Sequence, residues 1–441
     1  MKVFQVLNHF LPQQTAGTEI YTWALSKHLQ KKGITVEVMV PHYGKAISAL
    51  YFYDEIPVFQ FAEPSKVDRS LIMGFREAEG LAVFEKYLDE QKPDIVHFHE
   101  VAGSNGISLQ HLISAKNKGA KVLMTFHLAG YSCKTGSLIY MDQEFCDGAI
   151  DIQKCSTCYL QSKGVNPVNF LLRPVSALFY KLGINTSRWK NKIGTALATA
   201  FVIEQLKNNF NILVDQCDQL VVLTEWYKKI LIVNGVPDQK ISYVSQGLPF
   251  NPMKKSVINN GYSINRLRLM FLGRISAYKG LGLLLEVLLG LPSDKVELDI
   301  YGHTEDDAYE KVWRGKTVGC ENIRWKGVLK QEDVLSIMEQ HDVLCLCSTF
   351  SEMSPLVIQE AFAAGIPVLA SNVYGNAEQV KDGTNGWLFK FKDGNDLNQK
   401  LKKLIEDPHL IEEAKRHLPV VRDFSLVADE YIQLYKKMMK P

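Results

Sequence analysis

What most constrains this chain is an alternation. Short β-rich runs follow helix-patterned ones along nearly its whole length, and a sequence so built closes into parallel sheets covered by helices. In the first half the strand candidates are residues 2–8, 34–40, 94–99, 121–127 and 219–223. The first helix is signalled by TAGTEIYTWALSKHLQKKG, where Tyr21, Ala24, Leu25, His28 and Leu29 recur at helical spacing and Gly33 follows a basic last turn. The alternation restarts at Leu267. Strand runs LRLMFLG, KVELDIYG, DVLCLCS, IPVLAS and GWLFKF then enclose the helical runs LGLLLEVLLGL, EDVLSIMEQH and SPLVIQEAFAAG. Between the two series QGLPFNPMKKSVINNGYS has no period and is rich in Pro, Asn, Gly and Lys, as a linker is. The expectation is α/β: two doubly wound Rossmann-like domains facing across a cleft. The first takes residues 1–245, the linker 246–262, the second 263–422, and 423–441 form an amphipathic closing helix.

Composition narrows the function classes. The chain has 441 residues, room for two to three domains, and its 46% hydrophobic and 22% charged content is ordinary for a globular protein. A formal charge of +2 gives no coat for nucleic acid, so none is expected as a partner. No run reaches the ~20 apolar residues that span a bilayer. The opening MKVFQVLNHF, broken by Gln5 and Asn8, reads as a first strand and not a signal peptide. Eight cysteines in a chain of this length are no disulfide framework, so a reducing cytosol is the expected compartment.

Ligands of doubly wound sheets sit at the carboxyl ends of strands, and the second half concentrates its chemistry there. In FLGRISAYKG a strand ends at Gly273, and Arg274 and Lys279 project from the loop before Gly280 opens a helix. Two fixed cations near a helix start suit a diphosphate, and could equally be solvated loop residues. In SEMSPLVIQEAFAAG, Glu352 precedes a helix and Glu360 lies within it. The first can bind sugar hydroxyls and the second a ribose diol, while the N–H groups near Ser354 and Leu356 face phosphates. Taken singly, Glu352 could instead serve the helix dipole and Glu360 a buried salt bridge.

FLGRISAYKG, the two glutamates and VYGNAEQVKDGTNGWLF together resemble the donor domain of family-four glycosyltransferases of the GT-B fold. AGTEIY and DIVHFH are similar to the acceptor half, so the resemblance covers nearly the whole chain. It implies that Arg274 and Lys279 contact a nucleotide diphosphate, Glu352 the transferred sugar and Glu360 the ribose. It also implies that Gly17 lets the first domain's backbone close on the phosphates. Ala16 stands where the family usually has the first of two glycines, Met353 where a glycine follows the first Glu, and Tyr374-Gly375-Asn376-Ala377-Glu378 where it has Gly-Gly-x-Pro-Glu. The family is retaining. The resemblance therefore implies a front-face displacement in which the leaving phosphate takes the acceptor's proton, with no protein nucleophile and no catalytic metal. His127 matches the family's Thr-x-His position, and a near-neutral pKa would suit it to base or hydrogen-bonding work. His97, His99 and Glu100 end a neighbouring strand and share the acceptor-side expectation, with a structural role for the histidines equally open.

Two further features lie in the first half. Cys133, Cys146, Cys155 and Cys158, spaced Cys-x12-Cys-x8-Cys-x2-Cys, have the count and close pair of a structural zinc site. Buried thiols or a redox pair are the competing readings. Residues 160–210 carry seven basic side chains against Glu204 alone, interleaved with Phe170, Leu171, Leu172, Leu178, Phe179, Tyr180 and Trp189. Such a surface can lie on an anionic membrane, which would make the acceptor lipid-linked, or can be a helical excursion with a solvated face. The leading expectation is a hexosyltransferase acting on a saccharide or lipid-linked saccharide with a nucleotide-sugar donor, cytoplasmic or peripheral on the inner membrane face. The alternatives are a nucleotide-sugar epimerase, a nucleotide-sugar-binding module, and a metal-dependent partner platform centred on the cysteines.

Overall fold

In a computed structural model the chain is described over residues 1–64, 76–101, 106–164, 169–187, 189, 191–249, 266–304 and 306–440. It divides into two units, residues 1–245 with 424–441 and residues 246–423. Most of the expected linker therefore lies outside the described residues.

The first unit is built on eight strands. They are β1 (Lys2–Val6), β2 (Thr35–Tyr43), β3 (Ala49–Tyr53), β4 (Ile56–Glu63), β5 (Ile95–Phe98), β6 (Lys121–Phe126), β9 (Gln219–Val222) and β10 (Ile241–Tyr243). A two-stranded ribbon, β7 (Ile139–Tyr140) with β8 (Glu144–Phe145), stands apart from the sheet. The sheet order is β10-β9-β6-β5-β1-β2-β4-β3, and every pair is parallel except β3–β4. Strands β5 and β9 are buried along their whole length, the polar His97 and Gln219 included, which is why neither shows the alternation of a half-exposed strand. The β3–β4 hairpin was not visible in the strand pattern, since β4 carries Pro57 and Gln60 among its apolar residues.

The second unit holds six strands, β11 (Leu267–Leu272), β12 (Val296–Tyr301), β13 (Ile323–Gly327), β14 (Val343–Leu346), β15 (Val368–Ser371) and β16 (Gly386–Phe389). They lie in the order β13-β12-β11-β14-β15-β16, all parallel. Leu269, Phe271, Leu298, Ile300, Val343 and Cys345 centre one core layer, while Met270, Leu344, Val368 and Ile358 belong to the other. In each sheet the strand order reverses once, at β1/β5 in the first and at β11/β14 in the second. Those reversals open a crevice at the strands' carboxyl ends. The closing helix Phe424–Met438 follows the second unit in sequence but packs in the first, its Val427, Tyr431 and Tyr435 against Tyr21, Leu25 and Leu29 of helix Gly17–Lys31. Among the described residues no helix is long and apolar enough to cross a membrane.

Candidate active site

The β11/β14 reversal carries the residues expected to hold a donor. Gly273, Arg274 and Lys279 follow β11, and Glu352 follows β14, its immediate neighbour. The two loops are tied together, since the Thr349 N–H donates to the Tyr278 carbonyl at 2.8 Å and Thr349 Oγ1 to the Ala277 carbonyl at 3.1 Å. Lys279 Nζ reaches Glu352 Oε1 at 2.6 Å, and Ser348 Oγ donates to the same oxygen at 2.5 Å. The ammonium also sits 5.1 Å from the Phe350 ring centre, within cation–π range. Glu352 is 7% exposed and Lys279 19%, so the pair is largely removed from water yet reachable. Lys279 is thus no solvated loop residue.

Backbone packing explains two glycines of this site. Gly280 has φ +69°, and a Cβ there would stand 1.7 Å from the Cys347 carbonyl oxygen. At Gly375 a Cβ would stand 2.1 Å from the Glu352 carbonyl oxygen and 2.6 Å from that of Met353. The helix Tyr374–Gln379 therefore lies directly on the Glu352 loop. Helix Leu356–Ala363 opens beyond Pro355, with Ser354 before it; the Ile358 N–H donates to the Pro355 carbonyl at 3.2 Å, while the N–H groups of Leu356 and Val357 stand at the helix start, where no preceding turn supplies an acceptor. Glu360, one turn in, is buried and accepts from Gln331 Nε2 at 2.8 Å; burial raises its carboxyl above the ordinary range. Its partner is a neutral amide and not the other half of a salt bridge. Ser351 Oγ and Asn376 Oδ1 are buried without a hydrogen-bond partner, the kind of gap that a polar ligand fills. Those two atoms, and the exposed Tyr278 ring beside Phe350, gave no sequence signal because only the packed loops single them out.

The first unit places a polar network behind its own reversal. His99 Nε2 lies 2.7 Å from Gln5 Oε1, and His99 Nδ1 lies 3.0 Å from His127 Nε2. Gln5 Oε1 can only accept, so His99 carries its proton on Nε2, and His127 must then donate from Nε2. That assignment leaves His127 Nδ1 as an acceptor. His97 bridges Tyr435 Oη at 2.8 Å and Thr125 Oγ1 at 2.7 Å, and Tyr431 Oη joins Thr125 and Tyr21, each at 2.9 Å.

His97 and His99 are fully buried with both ring nitrogens engaged, an arrangement that fits the structural role the sequence left open. His127 is half-buried, but burial lowers its pKa to about 3 and not to near neutrality. Burial thus favours the neutral imidazole, whose Nδ1 can accept a hydrogen bond. Glu100 accepts from the Asn8 N–H at 3.1 Å and from Asn8 Nδ2 at 3.2 Å, which joins the ends of β1 and β5. Gly17 begins its helix with nothing within 4 Å of a would-be Cβ, so local packing does not require a glycine there. Sequence reasoning passed over Glu19. It is buried, accepts from Gln14 Nε2 at 2.7 Å and has no partner for Oε2; burial, and then the Glu100 charge, raise its pKa to about 7.

Comparison with known proteins fits both halves. A model of glycosyl transferases group 1 matches residues 258–417, and a model of glycosyltransferase family 4 matches residues 15–145. The chain belongs to the family-four glycosyltransferases of the GT-B fold. Among similar relatives of this transferase, the amylovoran biosynthesis glycosyltransferase AmsK of Erwinia amylovora is 25% identical over 48% of this chain and 54% of its own. The phosphatidyl-myo-inositol mannosyltransferase of Mycobacterium leprae is 27% identical over 49% of this chain and 61% of its own. The match thus spans little more than half of each relative's length. The crystal structure of Anabaena HepE in complex with UDP-glucose superposes with a TM-score of 0.62 at 16% identity, covering 99% of this chain and 100% of that one. At that identity the likeness concerns the fold.

The transferase's four clustered cysteines line one cavity together with Lys134, Lys154 and Leu138. All are free thiols, and burial raises the pKa of Cys146 and Cys158 and takes Cys155 to about 11. The Met141 N–H donates to Cys158 Sγ at 3.4 Å. As placed, however, no three Cys, His, Asp or Glu side chains among the described residues form a group that could hold a metal ion. The donor types suit zinc, but their spacing does not close a site. In the basic segment Lys163, Lys181, Lys192 and Lys207 are exposed, while the side chains of Arg173, Arg188 and Lys190 lie outside the described residues.

Proposed function

We propose that this transferase moves a hexose from a nucleotide-diphosphate sugar to an acceptor hydroxyl with retention, in the assembly of a cell-surface polysaccharide or glycolipid. The observation that carries the reading is the Lys279–Glu352 pair at the β11/β14 reversal, with the Arg274 loop bonded to the Glu352 loop. An incoming diphosphate competes for the Lys279 ammonium, and Arg274 adds a second cation on the same loop. The bonds from Lys279 and Ser348 both fall on Oε1, which leaves Oε2 to accept from a sugar hydroxyl. In the transfer, the bond from the sugar's anomeric carbon to the diphosphate oxygen breaks, and the acceptor oxygen bonds to that carbon on the same face. The acceptor's proton passes to the departing phosphate oxygen. Charge growing on that phosphate is what Arg274 and Lys279 stabilise. Glu360 is assigned to the ribose, Gly17 to backbone approach toward the phosphates, and neutral His127 to hydrogen bonding on the acceptor side. The names of AmsK and of the mycobacterial mannosyltransferase support a polysaccharide or glycolipid product, and the UDP-glucose bound by HepE supports a nucleotide-sugar donor.

Product analysis tests the reading against an epimerase. Incubated with donor alone, the protein should leave the sugar's configuration unchanged; with donor and acceptor it should give a glycoside of retained anomeric configuration. An altered sugar in the donor-only reaction would reject the proposal.

The four cysteines are proposed as a structural zinc staple for the loop between Ala129 and Ser162, outside the transfer chemistry. Support comes from four thiols on one cavity wall in a stretch whose only sheet is the two-residue ribbon β7–β8. Zinc would draw the thiols together as thiolates and hold the loop closed. Metal analysis of the purified protein should find one zinc per chain, lost in Cys155→Ser/Cys158→Ser with a lower melting temperature. Metal-free protein with an unchanged melting temperature would refute the staple.

A further inference from the structure

The carboxylate of Glu352 is held by more than its own loop. Ser348 Oγ donates to Glu352 Oε1, and the Ser348 carbonyl in turn accepts from Ser371 Oγ at 2.7 Å. That second bond carries the coupling of β14 to β15 past Leu346 and Ala370, the last residues their ladder pairs. Behind Ser371 stands Asn376, in the first turn of helix Tyr374–Gln379. Its Nδ2 donates to the Ser371 carbonyl at 3.1 Å and to Ser371 Oγ at 3.3 Å. Asn376, Ser371 and Ser348 are all fully buried, so bulk water does not compete for these bonds.

The direction of the chain is determined by its donors. Ser371 Oγ has one proton, which goes to the Ser348 carbonyl, and the Ser371 carbonyl can only accept. Both oxygens therefore face Asn376 as acceptors, and its NH2 group supplies a proton to each. Turning the amide over would set Oδ1 against both of them. The orientation that serves Ser371 leaves Asn376 Oδ1 buried with no hydrogen-bond partner. An apolar side chain at this place would avoid that cost, which is comparable to a lost hydrogen bond. Asn376 also stands at the variable position of the Gly-Gly-x-Pro-Glu element, where the family prescribes no residue.

We propose that Asn376 is a positioning residue for the donor sugar. Through Ser371 and Ser348 it holds the Glu352 carboxylate by Oε1, so that Oε2 is presented in one orientation to a sugar hydroxyl. The inference rests on the transfer reading and deepens it. Oε1 has two donors, Lys279 and Ser348. A diphosphate draws the Lys279 ammonium to itself, and from then on the Ser348 hydroxyl is what restrains the carboxylate. The chain from Asn376 therefore acts when the donor is bound. It concerns the sugar and not the phosphates, which fall to Arg274 and Lys279.

Calorimetric titration separates the two parts of the donor. Wild type, Asn376→Ala, Ser371→Ala and the double variant are titrated with UDP, GDP and ADP, and with UDP-glucose, UDP-N-acetylglucosamine, GDP-mannose and ADP-glucose. The nucleoside diphosphate that wild type binds should bind the variants as tightly, while its sugar conjugate should bind each single variant about tenfold more weakly. A merely structural loss would weaken both ligands together. The double variant should lose no more than the more affected single one, because both substitutions cut the same chain. If Asn376→Ala does not fold, Ser371→Ala, which removes one hydroxyl, carries the same comparison. Variants that keep wild-type affinity for the conjugate, that weaken on conjugate and diphosphate alike, or whose losses add in the double would overturn the inference and leave the transfer reading standing. Wild type that binds none of the conjugates would overturn the transfer reading and this inference with it.

Discussion

One oxygen, Oε1 of Glu352, takes both the Lys279 ammonium and the Ser348 hydroxyl, and the function of the second unit is read from that meeting. The sequence pointed to Arg274, Lys279, Glu352 and Glu360 because each stands in or beside a strand-to-helix loop. It could not show that Lys279 and Glu352 are partners 73 residues apart. Glu19 was out of reach for the same reason, since its surroundings come from the Gln14 and Glu100 loops. Its environment makes a measurable claim about stability. With a folded pKa of about 7 against an ordinary 4.5, Glu19 stays protonated in the folded chain after the unfolded chain has lost its proton. Its contribution is therefore fully present below about pH 4.5 and is lost as pH rises through about 7, to an extent of about 3 kcal/mol at most. Glu19→Gln should remove that slope, so that melting temperatures of variant and wild type diverge as pH rises from 5 to 8, with the variant higher. Parallel curves would show that Glu19 is not held in this state.

At the level of elements, the parallel strands were legible because burial on both faces turns them into short apolar runs, of which β14 and β15 are the plainest cases. The hairpin β3–β4 was not, since β3 alternates intermediate and exposed residues at the sheet's edge and β4 mixes polar residues into its run. The ribbon β7–β8 is too short for any period to register. Contacts between elements were least visible, and Gly375 shows why. In sequence it is part of a helix start, while in the fold it is the place where that helix rests on the carbonyls of Glu352 and Met353. Gly375→Ala should push the two elements apart. The expected result is a stability loss of about 1–3 kcal/mol together with a donor KM raised more than the acceptor KM, measured by thermal unfolding and initial rates. Equal changes in both KM values would mean that the contact does not position Glu352.

The molecule as a whole has an order that the linear sequence conceals. The chain builds a sheet, leaves it for a second unit and returns with helix Phe424–Met438 to finish the first. Amphipathicity announced that helix but not its destination. Tyr431 and Tyr435 complete a network whose other members, Gln5, Tyr21, His97 and Thr125, all precede residue 130. The network fixes the buried histidines and, through His99, the ring of His127 on the acceptor side. The donor side is separate, and the claim on which the function rests is that Arg274 and Lys279 grip a pyrophosphate there. Calorimetric titration with UDP, GDP and ADP addresses it directly, on wild type, Lys279→Ala and Arg274→Ala. The account predicts that at least one of the three nucleotides binds wild type and that each substitution weakens it about tenfold or more without changing the fold. Wild type that binds none of them, or variants that bind as tightly as wild type, would contradict it.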